Sequence, residues 1–215
     1  VSYSDFNKNA LPLSFYSSVA GQFYQEVTEI PNLPSECGDV TITSPEKVTK
    51  SCVENIIVPE GAVVEGNSDY GVEFFPSGDE GPIQGDLNAV TIGKGATVSW
   101  KSGNSTYQGA ALKLTNTNFG TEVKIEPGSQ VKNPGDDGGH AVFITTNGGS
   151  LRDPRESAVV LENRGEIYSE TGNAIKASKG EFDTVAVEIH NYGSIKAPGD
   201  EGINSNGKRA GYAIL

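Results

Sequence analysis

The sequence predicts an all-β protein whose main part is a parallel β-helix of about five coils, preceded by a non-repeating N-terminal cap. Three observations predict it. A glycine-centred pattern returns five times, and apolar residues within each return alternate with polar ones. Glycine also makes up 27 of 215 residues, about 13% against a usual 7% or so. The excess follows no strict triplet, so it marks turns rather than collagen.

The first half of each period is a short β-branched strand, a glycine turn and another apolar residue. It reads Ile56-Ile57-Val58-Pro59-Glu60-Gly61-Ala62-Val63, then Val90-Thr91-Ile92-Gly93-Lys94-Gly95-Ala96-Thr97-Val98, then Val123-Lys124-Ile125-Glu126-Pro127-Gly128-Ser129-Gln130-Val131. The later copies are Leu161-Glu162-Asn163-Arg164-Gly165-Glu166-Ile167 and Ile189-His190-Asn191-Tyr192-Gly193-Ser194-Ile195. The anchor glycines 61, 95, 128, 165 and 193 are spaced by 34, 33, 37 and 28 residues. The second half opens on glycine and runs through small or apolar residues. Its copies are Gly71-Val72-Glu73-Phe74, Gly109-Ala110-Ala111-Leu112-Lys113-Leu114, Gly139-His140-Ala141-Val142-Phe143-Ile144, Gly172-Asn173-Ala174-Ile175 and Gly211-Tyr212-Ala213-Ile214. Ten strand segments are expected over the five periods.

Alternation in Val90-Thr91-Ile92, Val123-Lys124-Ile125 and Leu112-Lys113-Leu114 turns one strand face inward and one toward water. Strands this short bury little alone, so successive periods must stack and pair equivalent strands. A propeller blade would need four strands per period, and helical spacing is missing from the repeats. One coil per period fits, with five coils extending about 24 Å at ~4.8 Å each. Corner glycines supply positive φ, and Asn163 and Asn191 suit left-handed corners or a hydrogen-bonded ladder. Residues 76–88 and 145–157, rich in Gly, Pro, Asn and Asp, are expected as longer loops.

Residues 1–55 do not repeat. Tyr16, Val19, Phe23, Val27 and Ile30 recur at helical spacing, interrupted by Gly21. This segment is expected to cap the open strand edges of the first coil. Cys37 and Cys52, 15 positions apart, are expected as a disulfide closing a short loop worth about 3 kcal/mol. No further Cys or His lies near enough in sequence to complete a metal site. A disulfide places the chain outside the cytosol. The repeats at 56–215 are expected to stop in mid-strand at Ile214-Leu215, with more coils following in a parent protein.

Net charge −12 and a pI near 4.6 argue against nucleic acid and anionic membrane as partners, both being polyanions. No run approaches 18 apolar residues, so no membrane-spanning helix is expected. The chain contains no methionine and no signal-peptide pattern at Val1-Ser2-Tyr3-Ser4, which is read as a mature or excised segment.

The pairs Asn163-Arg164-Gly165-Glu166-Ile167 with Gly172-Asn173-Ala174-Ile175, and Asn191-Tyr192-Gly193-Ser194-Ile195 with Gly211-Tyr212-Ala213-Ile214, resemble the N-x-G-x-I and G-x-A-I runs of bacterial autotransporter passenger domains. The resemblance covers roughly residues 56–215. It implies a right-handed β-helix at the bacterial cell surface (outer membrane) or secreted, joined through further coils to a C-terminal β-barrel translocator. Passengers of this kind serve as adhesins, toxins, aggregation factors or enzymes, so the fold does not choose among them.

The reading adopted is an adhesin or host-interaction module with no cofactor, whose partner is a host or bacterial surface protein or glycan. Trp100, Tyr107, Phe119 and Tyr168 are the candidate aromatic contacts, each able instead to pack on a coil face. Two alternatives stand beside it. One is a polysaccharide lyase or hydrolase using Asp136, Asp137 and Arg152, since paired carboxylates can serve as acid and base. The chain lacks the other elements of those enzymes. The other alternative is a secreted toxin or host-signalling factor. The acidic turns Pro134-Gly135-Asp136-Asp137-Gly138 and Pro198-Gly199-Asp200-Glu201-Gly202 bring oxygens suited to Ca²⁺. The intervening coil carries Gly172-Asn173 there, so a solvated turn is favoured and no metal is expected. His140 and His190 are expected on outward, solvated strand positions.

Overall fold

The computed structural model describes residues 38–49, 53–67, 69–76, 87–101, 109–117, 121–135, 138–146, 159–179 and 187–198. They form sixteen strands and no helix. The first sheet holds β1 (Gly38–Thr41), β3 (Val53–Val58), β6 (Ala89–Ile92), β9 (Thr121–Ile125), β12 (Val159–Asn163) and β15 (Val187–Asn191), side by side in that order. The second holds β4 (Val63–Gly66), β7 (Thr97–Trp100), β10 (Gln130–Asn133), β13 (Glu166–Ser169) and β16 (Ser194–Lys196). The third holds β2 (Glu46–Val48), β5 (Tyr70–Phe74), β8 (Ala110–Thr117), β11 (His140–Thr146) and β14 (Ile175–Lys179). All pairings are parallel, and each complete coil gives one strand to each sheet. This is the arrangement of a parallel β-helix.

Two expectations change. A coil carries three strands rather than two, because the glycine turn divides the first half-period between two sheets. In the early coils the turn is residues 59–62, 93–96 and 126–129, closed by backbone hydrogen bonds from Ala62 to Pro59 (3.1 Å), Ala96 to Gly93 (2.9 Å) and Ser129 to Glu126 (3.1 Å). Its third residue has φ of 69° at Gly61, 69° at Gly95 and 76° at Gly128, as a type II turn requires. The turns stack, with Gly61 N–H donating to Lys94 C=O (3.0 Å) and Gly95 N–H to Pro127 C=O (3.3 Å). The stack also starts at Gly38 rather than at residue 56. Val40 of β1 pairs with Ile56, and Lys47 of β2 with Glu73, so residues 38–48 already belong to the sheets instead of a separate cap. The helix expected near residues 16–30 and the Cys37–Cys52 pair lie outside the described residues.

The core is a set of vertical columns, one residue per coil. Val40, Ile56, Val90, Val123, Leu161 and Ile189 form one from the first sheet. Val64, Val98, Val131, Ile167 and Ile195 form another from the second. The third sheet supplies Val72-Leu112-Val142-Ile175 and Phe74-Leu114-Ile144-Ala177. Side chains of one shape repeat at one height step, and each fully buried aliphatic contributes about 1.5–3 kcal/mol.

The later corners between first and second sheets use different chemistry. Gly165 and Gly193 are not among the positive-φ glycines. The Asn163 carboxamide oxygen accepts Gly165 N–H (3.1 Å), and that of Asn191 accepts Gly193 N–H (3.3 Å). Asn163 Nδ2 donates to Asn191 Oδ1 (2.8 Å) and to Ser194 C=O (3.1 Å), which is the expected asparagine ladder. Glycine at 165 answers proximity: a Cβ there would lie 2.8 Å from Ser129 Oγ and 2.9 Å from Glu126 C=O.

Candidate functional site

The stack has three outward faces, and the strand register decides which side chains line up on each. On the third sheet the outward column is Lys47, Glu73, Lys113, Phe143 and Lys176, one from each of five successive coils. Glu73 takes both neighbouring lysines, at 3.3 Å from Lys47 Nζ and 2.9 Å from Lys113 Nζ, and its side chain is only 3% exposed. Flanked by two ammonium groups, a nearly buried carboxylate is compensated at close range. Lys47 also lies over the Phe75 ring at 4.1 Å, and Lys176 over Phe143 at 5.4 Å.

The second sheet presents two adjoining columns. One is Thr97, Gln130, Glu166 and Ser194; the other is Ser99, Lys132, Tyr168 and Lys196. Lys132 Nζ donates to Gln130 Oε1 (3.1 Å), Gln130 Nε2 to Glu166 Oε2 (3.0 Å), and Lys196 Nζ to Glu166 Oε1 (3.2 Å). Tyr168 stands between the two lysines in register and donates its hydroxyl to Glu170.

The first sheet carries a half-buried charge ladder of Lys124, Glu162 and His190. Lys124 pairs with Glu122, Arg164 with Glu162, and His190 Nε2 lies 2.7 Å from Glu188. The hydrogen bond from Arg164 holds the Glu162 carboxyl below its ordinary range, and Glu162 in turn raises Arg164. The Glu122 hydrogen bond raises Lys124. All three groups are solvated, so these pairs tune local charge and add little stability.

Of the aromatic candidates, Tyr168 is half-buried on an outward face. Trp100 is wholly buried, which removes it from the surface contacts. Its indole lies against Gly109 and Gly139, where an added Cβ would overlap the six-membered ring. Tyr107 and Phe119 lie outside the described residues. So do Asp136, Asp137, Asp200, Glu201 and Arg152. The shoulders of the first acidic turn are described: Thr171 Oγ1 accepts Gly138 N–H (3.0 Å) and donates to Gly135 C=O (3.0 Å), tying the turn to the next coil. Among the described residues no three His, Cys, Asp or Glu side chains converge as a metal site.

His140 corrects another expectation, being 4% exposed rather than solvated. It stacks on Phe143 with centroids 5.7 Å apart, and its Nδ1 accepts the Asn173 N–H at 3.2 Å. His190 does face outward, and it has Glu188 beside it. The Lys47-Glu73-Lys113-Phe143-Lys176 column went unread in the sequence. Its signal was present, because aligning Val72, Leu112, Val142 and Ile175 puts Glu73, Lys113, Phe143 and Lys176 at one shared position.

These faces set out cations, amides and aromatic rings at positions fixed by the strand register. No family model matches the chain, and no curated protein or solved structure matches it.

Proposed function

We propose that the chain is a binding section of a β-helical rod displayed outside the cell, an adhesin or host-interaction module of the autotransporter-passenger kind. The observation that carries this reading is the distribution of connection lengths around the coil. From first to second sheet the connections are 4, 4, 4, 2 and 2 residues, a fixed corner. From third sheet back to first they are 4, 14, 3, 12 and 7 residues. From second sheet to third they are 3, 9, 6 and 5 residues, so one short corner holds the stack in register while the connections on both sides of the third sheet vary. A scaffold that keeps one corner and varies the connections flanking one sheet is suited to presenting recognition segments beside that sheet, as binding residues on other rigid folds sit on loops.

The test displays the chain on a non-adherent bacterium through a translocator barrel and measures attachment to epithelial cells and to other bacteria. Attachment above that of the barrel alone is expected. Replacing residues 147–158 with the three residues that bridge β8 and β9 should reduce it while leaving the melting transition of the purified chain in place. Display without attachment to either surface would overturn the proposal.

A further inference from the structure

The outward column of the third sheet brings together features that nothing in the fold requires. Lys47, Lys113 and Lys176 stand on alternate coils, so neighbouring cations are separated by about 9.6 Å, two inter-strand steps. Glu73 offsets one of the first two, leaving a net two positive charges along the column of a chain whose total is −12. Among the described residues Lys176 meets no carboxylate, and its ammonium lies over Phe143 instead. Phe143 is half-buried between Lys113 and Lys176, one coil from each. Thr115 and Thr145 sit in register beside this column with their hydroxyls buried.

We propose that this column binds an extended anionic polysaccharide lying along the stack. Pyranose rings in an extended chain advance by close to one inter-strand spacing each. Alternate acidic sugars would then meet the alternate lysines, and the C–H groups of an intervening ring would meet the outward edge of Phe143, whose ring stacks on His140 and lies under Lys176. A flat ladder of cations at a fixed interval reads a linear polymer, because a compact anion engages only one rung. The proposal deepens the reading of the chain as a surface-presented binding module and rests on it for the biological setting. The binding itself is a property of the soluble protein.

The test titrates the purified 215-residue chain with polygalacturonate, with a sulfated polysaccharide, with neutral dextran and with single-stranded DNA, at low and at physiological salt. Binding to an acidic polysaccharide, absent with dextran and weakened by salt, is expected. Whichever of the two acidic polymers binds more tightly assigns carboxylate or sulfate. Lys176→Glu should weaken binding about tenfold or more, equivalent to about 1.4 kcal/mol. Phe143→Leu should weaken it several-fold without changing its salt dependence. Lys94→Glu, an exposed charge reversal at the corner between the other two sheets, should leave it within about twofold as a non-specific control. Lys113 is left intact because Glu73 depends on it. Equal loss in Lys94→Glu and Lys176→Glu, equal binding of dextran, no binding of either acidic polysaccharide, or tighter binding of DNA would each overturn the proposal. Cell attachment that persists while the soluble chain ignores both acidic polymers sinks this inference and spares the presentation role.

Discussion

Gly139→Ala tests the packing around the one tryptophan of the chain. Trp100 is fully buried, and its six-membered ring lies across the Cα positions of Gly109 and Gly139 in neighbouring coils. A methyl at 139 would stand 2.8 Å from Cε3 and nearer still to Cζ3, whereas carbon atoms rest at about 3.5–4.0 Å. The indole must retreat by more than an ångström inside a closed core, or the corner must open. Overpacking of this kind costs about 1–3 kcal/mol, and a chain of this length loses roughly 2–4 °C of melting temperature for each of those. Because Trp100 is the sole tryptophan, its fluorescence follows unfolding in urea without interference. The double variant Gly139→Ala/Trp100→Leu has room for the methyl, so there the Gly139→Ala step, followed by far-ultraviolet circular dichroism because the indole is gone, should cost much less than in the parent. Equal costs in both backgrounds would refute the account, as would parent emission at the wavelength of a solvated indole.

Asn163→Ala removes the donor to Asn191 and Ser194 and the acceptor for Gly165 N–H, so unfolding free energy should fall by about 1–3 kcal/mol in a urea titration. Gly128 has φ +76° and nothing nearer than 3.9 Å to an added Cβ, so Gly128→Ala should cost about 1–2 kcal/mol and Gly128→Asn less. At Gly165 the obstacle is Ser129 and Glu126, so alanine and asparagine should both be disruptive there; rescue by asparagine would contradict the two-corner account. The pH response follows from Glu162, whose folded pKa lies below the ordinary 4.5. Its contribution is complete above that ordinary value and disappears as pH falls through the lowered folded value. Melting temperature measured on acidification should therefore fall slightly less in Glu162→Gln than in the parent, and molar salt should erase the difference.

Much of the fold was legible because a stacked coil writes its register into the sequence. The glycine period and the alternation in Val90-Thr91-Ile92 or Val123-Lys124-Ile125 placed the columns, and the Asn163–Asn191 spacing anticipated their ladder. The third strand was hidden because the segments after the turns at Gly61, Gly95 and Gly128 are only four residues long and read as the tail of the strand before them. The first coil was hidden because β1 and β2 join through Ile42-Thr43-Ser44-Pro45 and bear no anchor glycine of the repeated kind. Trp100 follows inward parity, two residues after Val98, which decides for packing inside the coil over a surface contact. His140 escaped because both flanks of a strand are enclosed where the chain bends into the third sheet. The lysine column is legible only once the repeats are aligned on their inward residues. Its members are about 26 to 40 residues apart, and only the parallel register makes them neighbours.

The outward column of the first sheet gives the most direct test of the stack on which the presentation role and the lysine spacing both depend. Thr41, Ile57, Thr91, Lys124, Glu162 and His190 occupy it in register. Spin labels on genetically encoded ketone residues at 41 and 190, measured by pulsed dipolar spectroscopy, read its length. Five inter-strand steps put the two backbones about 24 Å apart, so a single narrow distribution centred near that distance, widened by the label linkers, is expected. A broad distribution, or one centred far beyond it, would contradict the coil-by-coil register.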